Sequence, residues 1–174
     1  MKALGGIATA AIAVLAAGGI KAALPGAPAD PADSEANATR VRVVAVLDGD
    51  TLRVEDLNGG DLGRVRLLGI DAPEVAHPPT PAECYSTEAT EQLEQLAPVG
   101  STVFLTTDTG QPDRDRYGRM LRYVDHAGTD AARELLAAGE ARVYDTDQQL
   151  ARETDYAAAA QDAHSAATGL WGNC

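Results

Sequence analysis

The stretch Arg64-Val65-Arg66-Leu67-Leu68-Gly69-Ile70-Asp71-Ala72-Pro73-Glu74 runs an apolar strand into two carboxylates and carries an arginine within it. A strand that only packs a core uses Val, Leu and Ile, and a turn that only reverses the chain uses Pro, Gly and Asp; neither calls for Arg66, Asp71 and Glu74 together. Upstream, Asp48-Gly49-Asp50-Thr51 adds two more carboxylates. Taken alone it is a hairpin turn, because Asp-Gly is a strong turn signal. Adjacent antiparallel strands, however, bring the end of one close to the turn before its neighbour, which would gather Asp50, Asp71 and Glu74. Oxygen ligands without a nearby His or Cys pair suit a hard cation such as Ca²⁺ or Mg²⁺ and do not suit Zn²⁺.

Arg66 shares a strand face with Leu68 and Ile70, so it is expected to project among apolar neighbours and to need an anionic partner there. A structural ion pair to Asp71 or Glu74 would meet that need, and so would a phosphate. Asp115-Arg116-Tyr117-Gly118-Arg119 supplies further positive charge where another strand begins. Arg119 falls on the face of Leu121 and Tyr123 and is also expected to point inward. Two inward arginines and three carboxylates nearly balance once a divalent cation is added, the composition of a metal-dependent phosphodiesterase site.

Positioning these residues takes a sheet. Val41–Leu47 and Thr51–Val54 are β-branched runs around Asp48-Gly49-Asp50, and Arg64–Ile70 follows the turn Asn58-Gly59-Gly60, which predicts a three-stranded meander. Ser101–Thr107 and Arg119–Asp125 predict two further strands. Ahead of both, after the third strand, Ser86–Ala97 has the spacing of one helical face, with Ser86 or Thr87 as its cap. Thr129-Asp130 caps a short helix ended by Gly139, and Asp147–Thr168 reads as a long helix, ended by Gly169, with Leu150, Tyr156 and Ala160 turned inward. Five strands with three helices imply an α+β fold built on a five-stranded OB-type barrel, an architecture that often binds oligonucleotides.

Composition narrows the partners. With 26 acidic against 14 basic residues the formal net charge is -12, so the chain cannot grip a polyanion by bulk charge and any nucleic-acid contact must be local. Lys2, the apolar run Ala3–Ile20 and Ala27-Pro28-Ala29 read as an export signal over residues 1–29, cleaved after Ala29 or retained as an anchor. Residues 30–39 read as a disordered linker and 40–174 as the folded domain. Two cysteines in an exported chain predict a disulfide between Cys84 and Cys174. His77, His126 and His164 have no partner arrangement and are assigned nothing.

Taken together, Asp48-Gly49-Asp50-Thr51, Arg66 through Glu74, and Asp115-Arg116-Tyr117-Gly118-Arg119 resemble, in order and spacing, the motifs of the staphylococcal-type thermonuclease family over roughly residues 41–172. The resemblance implies an OB barrel with three helices. It also implies a calcium-dependent endonuclease that hydrolyses DNA and RNA to products with 3′-phosphates. By position, Asp50, Asp71 and the backbone carbonyl of Ala72 would hold Ca²⁺. Glu74 would be the general base, and Arg66 and Arg119 would stabilise the phosphoryl oxygens. Arg116, Tyr117 and Tyr144 would contact substrate, and Asp48 would support the metal or cap its turn. The cysteine pair resembles a secreted bacterial branch, which implies an extracellular monomer with no stable protein partner, touching a membrane only if the leader is kept. The departure is charge: best-known members are lysine-rich, whereas this domain is acidic. The other reading of the fold is a non-catalytic OB-type nucleic-acid-binding module.

Overall fold

The structure is a computed structural model that describes residues 38–174 except Asp147. The leader and all but the end of the linker therefore lie outside the described residues. The first strand, β1 (Thr39–Asp48), starts one residue inside the stretch read as linker. It pairs antiparallel with β2 (Thr51–Glu55), which pairs antiparallel with β3 (Asp61–Leu67). A short β4 (Ile70–Asp71) comes next, and then β5 (Thr102–Thr106) and β6 (Met120–His126). Strand β5 pairs antiparallel with both β1 and β6, and β6 returns parallel to β3 with Val65 opposite Met120. That last pairing closes β1-β2-β3-β6-β5 into a five-stranded barrel. Closure leaves no open edge among the five strands, and alternation fills the interior: Val43, Leu52, Val54, Val65 and Leu67 are almost fully buried.

The third strand ends earlier than the sequence predicts. Leu68-Gly69 turns the chain, with Gly69 at φ 77, and Ile70–Asp71 then pairs with β8 (Arg142–Val143). Arg66 therefore does not continue a face shared with Leu68 and Ile70. Its neighbours Val65 and Leu67 point into the barrel, so Arg66 points away from the interior, contrary to the expectation of two inward arginines.

Helix α1 (Ser86–Leu96) forms where its apolar spacing predicts, with Ala89 and Leu93 buried. Neither Ser86 nor Thr87 caps it. The cap position is Tyr85, at φ 74 and with no side-chain cap bond; the backbone takes over, Ser86 N donating to Glu83 O and Ala89 N to Tyr85 O. Helix α2 (Ala131–Ala137) follows the two-residue β7 (Thr129–Asp130) and is capped as expected, Asp130 accepting from Ala132 N and Arg133 N. The C-terminal helix α3 (Glu153–Ser165) starts six residues later than Asp147, because the preceding turn is held elsewhere: Asp108 accepts from Ala151 N, and Gln111 Nε2 donates to Gln148 O. Tyr156 is buried as predicted, Ala160 is half-buried against the core, and Ala159 and Ala163 complete the inward face. A last short turn, α4 (Leu170–Asn173), tucks back after Gly169.

The predicted disulfide is present, Cys84 to Cys174, with Cα atoms 6.0 Å apart across a separation of 90 residues. In the chain-entropy account a loop of that length adds about 4 to 5 kcal/mol of stability. No helix among the described residues is long and apolar enough to cross a membrane.

Glu140, just past α2, is half-buried, and its Oε2 is buried with no hydrogen-bond partner among the described residues. Burial, with Glu88 adding like charge, pushes its carboxyl up to about 7. A carboxyl whose folded pKa is raised favours the fold in its protonated form, and that contribution is lost as pH rises through about 7. Glu140→Gln is therefore expected to raise Tm by about 2 to 4 °C at pH 8 and to change it little at pH 4, discounting for partial exposure. Paired thermal melts at the two pH values test this; an equal shift at both would contradict it.

Candidate functional site

The β1–β2 turn carries the first acid. Asp48 Oδ1 accepts from Asp50 N at 3.0 Å and so caps the turn, as one of its two expected roles requires. Gly49 is there for space: a Cβ on it would lie 2.6 Å from Ala72 Cβ and 2.7 Å from Ala89 Cβ, a separation no side chain tolerates. The absence of that carbon lets the turn press against both the Ala72 segment and helix α1.

Pressed there, Asp50 is 4% exposed and fully engaged. Its Oδ1 accepts from Thr51 Oγ1 at 3.0 Å and its Oδ2 from Ala72 N at 2.9 Å, while its carbonyl accepts from Leu67 N. The β2–β3 register sets Thr51 opposite Arg66, which delivers the guanidinium to the same place. Arg66 Nη1 lies 2.7 Å from Asp50 Oδ2 and Nη2 lies 2.8 Å from Asp71 Oδ1, so one planar group ties the carboxylate of the β1–β2 turn to that of β4. The need for an anionic partner is met, by Asp50 and Asp71 together rather than by Glu74. Burial is the larger influence on Asp50 and pushes its carboxyl up to about 7, with Asp48 acting the same way; Arg66 and the Ala72 amide pull against them.

That balance bears on a metal. Among the described residues no three His, Cys, Asp or Glu side chains gather as a metal-holding group. What the site offers is two carboxylates, all-oxygen chemistry, and a buried Asp50 whose charge one guanidinium does not fully compensate. These features fit a hard divalent cation that takes its remaining ligands from water.

Glu74 is exposed three residues beyond Asp71, and its carboxylate has no hydrogen bond or ion pair among the described residues. Its backbone is held: Glu83 N donates to Glu74 O at 2.9 Å, and Glu83 Oε2 accepts from Glu74 N at 3.1 Å. The two bonds close the neck of the Pro-rich loop between them, next to the disulfide at Cys84. Glu83 carries no local sequence signal for this role, which emerges only once the loop closes.

Arg119 forms a second cluster. It precedes β6, and its Nε donates to Asp115 Oδ2 at 2.7 Å, so it is committed to Asp115 and not to Asp50 or Asp71. The guanidiniums of Arg116 and Arg119 stand 4.7 Å and 5.5 Å from the centre of the Tyr117 ring, and Arg116 also donates to the Tyr117 hydroxyl. The parallel register sets Arg66 opposite Leu121, so Arg119, two residues earlier, falls on the same outer side of the β3–β6 pair as Arg66. Tyr144, half-exposed, continues β8, its N donating to Gly69 O at 3.0 Å, and it lines a cleft of about 160 Å³ with Gly69, Leu150 and Tyr156.

A buried polar network behind this surface has no signature in the sequence. Asp108 accepts from Tyr123 Oη, Gly110 N and Ala151 N; Arg152 reaches Asp125 and Asp130; Tyr156 Oη donates to Asp130. It pins the segment that follows Tyr144 against β6 and the start of α2.

The family described as staphylococcal nuclease homologue matches residues 64–173. An uncharacterized protein of Methanocaldococcus jannaschii is 31% identical over 149 residues, covering 75% of this chain and 70% of the relative. The thermonuclease of Staphylococcus hyicus is 36% identical over 91 residues, 52% of this chain and 51% of its own length. An uncharacterized endonuclease of Escherichia coli is 38% identical over 105 residues, 60% of each. The chain thus spans about half to three fifths of these bacterial relatives. With the family matched across most of the chain and the barrel and acid–arginine cluster in place, the chain belongs to the staphylococcal nuclease homologue family.

Proposed function

We propose that this protein is a secreted, calcium-dependent endonuclease that cleaves DNA and RNA and leaves 3′-phosphates. The carrying observation is the Arg66 guanidinium shared between Asp50 and Asp71, with the exposed Glu74 carboxylate, unpaired among the described residues, three residues past Asp71. A calcium ion held by Asp50, Asp71 and the Ala72 carbonyl would neutralise phosphate charge and bind the water that reacts.

The chain's own groups do the rest. Arg66 has five N–H donors and spends three on Asp50, Asp71 and Leu67 O, which leaves two for a non-bridging phosphate oxygen. Glu74, unpartnered among the described residues and exposed, accepts a proton from water as its oxygen bonds to phosphorus. The bond from phosphorus to the 5′-oxygen breaks, that oxygen takes up a proton, and the phosphate stays on the 3′ side. Arg119 turns from Asp115 to the developing negative charge, while Arg116, Tyr117 and Tyr144 offer a cation and two ring faces to the flanking nucleotides. Export is supported by the sequence of the leader and is consistent with the disulfide.

Purified protein with Ca²⁺ is expected to degrade denatured DNA and to stop when a chelator is added, and Glu74→Gln is expected to lower kcat by about 10²- to 10⁴-fold. Products should block polymerase extension until a phosphatase removes the 3′-phosphate. Intact DNA with every divalent ion tried would defeat the enzymatic reading and leave a binding module. Without nucleic acid, Ca²⁺ should raise Tm and Asp50→Asn should abolish the rise, an effect of about 2.7 kcal/mol at a hundredfold excess over Kd. Arg66→Met leaves Asp50 buried and uncompensated, and urea unfolding at neutral pH should show a loss of roughly 3 to 5 kcal/mol.

A further inference from the structure

Most of this chain's positive charge is already spent. Among the described residues Arg42, Arg53, Arg66, Arg114, Arg119, Arg122, Arg133 and Arg152 all pair with carboxylates. Arg142 is exposed and takes part in no ion pair among them, in an acidic protein where carboxylates are plentiful. Its position matters more than its freedom. In the β4–β8 pair Arg142 is the direct cross-strand partner of Asp71, so the two side chains leave the sheet on the same face. Alternation turns Val143 inward and returns Tyr144 to the side of Arg142, which puts a cation and an exposed phenol together beside the acid of the site.

Arg142 is also held in place. Its guanidinium lies over the Trp171 ring, 5.3 Å from the centroid. Trp171 sits in α4 and is itself packed hard: a Cβ on Gly139 would come within 3.2 Å of the ring and 2.3 Å of Thr168 O, and Leu170 N donates to Gly139 O. The disulfide at Cys174 fastens the far end of that turn. A stacked guanidinium loses less freedom on binding than a free one, and its in-plane donors remain available to an oxyanion.

We propose that Arg142, stacked on Trp171 and set across from Asp71, is a further backbone contact for single-stranded nucleic acid, taking the phosphate next to the one cleaved. It rests on the nuclease reading of the Asp50–Arg66–Asp71 site but is not part of that site's chemistry. The position helps account for how an acidic protein holds a polyanion: an oriented cation beside the site adds a local contact where general basicity is missing. Tyr144, on the same face, supplies the base-stacking surface that accompanies such a contact.

The test compares wild type, Arg142→Ala and Arg142→Lys, each checked by thermal melt. Binding of a short fluorescein-labelled single-stranded oligonucleotide is followed by anisotropy in chelator across a salt series. Cleavage is followed with Ca²⁺ on that oligonucleotide and on a thymidine 3′-phosphate nitrophenyl ester, which has no neighbouring phosphate. Arg142→Ala is expected to weaken oligonucleotide binding about 5-fold at low salt and to flatten the slope of log K against log salt by about 0.7. It should raise KM for the oligonucleotide at unchanged kcat and leave the ester untouched. Arg142→Lys should restore the salt slope, because it keeps the charge while losing the planar fork. Equal binding and equal slope in wild type and Arg142→Ala would overturn the proposal, as would an equal loss on the ester. If wild type binds but cuts nothing while the alanine variant still flattens the slope, the nuclease reading fails and the contact stands. If wild type cuts and the variants match it, the reverse holds.

Discussion

The closeness of the β1–β2 turn to the Ala72 segment is the constraint on which the site depends. At Gly49 the backbone passes where no side chain fits, and only that approach lets Asp50 accept from the Ala72 amide while facing Arg66. The barrel supplies the other half of the geometry. Pairing of β2 with β3 puts Thr51 opposite Arg66, and the turn at Leu68-Gly69 brings Asp71 back to the same guanidinium. A buried ion cluster of this kind is a poor source of net stability, because desolvation opposes the attraction. Its presence is better explained by what it holds ready than by what it holds together.

Electrostatics divides the protein into two parts. Over most of the surface arginines and carboxylates neutralise one another in exposed pairs that contribute little. At the site the balance is deliberately incomplete: Asp50 has its charge suppressed by burial, Asp71 is open to solvent on one side, and Glu74 has no partner among the described residues. The Asp115–Arg119 and Arg116–Tyr117 contacts form a second region on the same outer side.

Much of this could be read from the sequence. Strand alternation and Gly-rich turns located the five barrel strands, the Asp130 cap was visible as a local signal, and two cysteines in an export-type chain allowed one pairing. The acid–arginine spacing was equally local, so Asp50, Arg66 and Asp71 were identified before their contacts were known. What failed were statements about direction and remote partners. A strand running through Ile70 would put Arg66 on the face of Leu68 and Ile70, but β3 ends at Leu67 and Gly69 turns the chain. Ser86 and Thr87 looked like caps, but the Glu83 carbonyl supplied the first bond. The Asp108–Tyr123–Arg152 network joins segments 15 to 43 residues apart, and no periodicity encodes it.

The bond between Cys84 and Cys174 also changes what a single backbone cut can do. Both cysteines flank α1, β5, β6, α2 and α3, so the chain between them is a closed ring. A protease that clips any one loop of that ring, including the one after Tyr144, produces two pieces that stay covalently joined and free to re-pair. Only a cut ahead of Cys84 parts the molecule, and there the strands β1 to β3 are already woven into the barrel. The bridge therefore works as a tolerance for wounds as much as a brace for the fold.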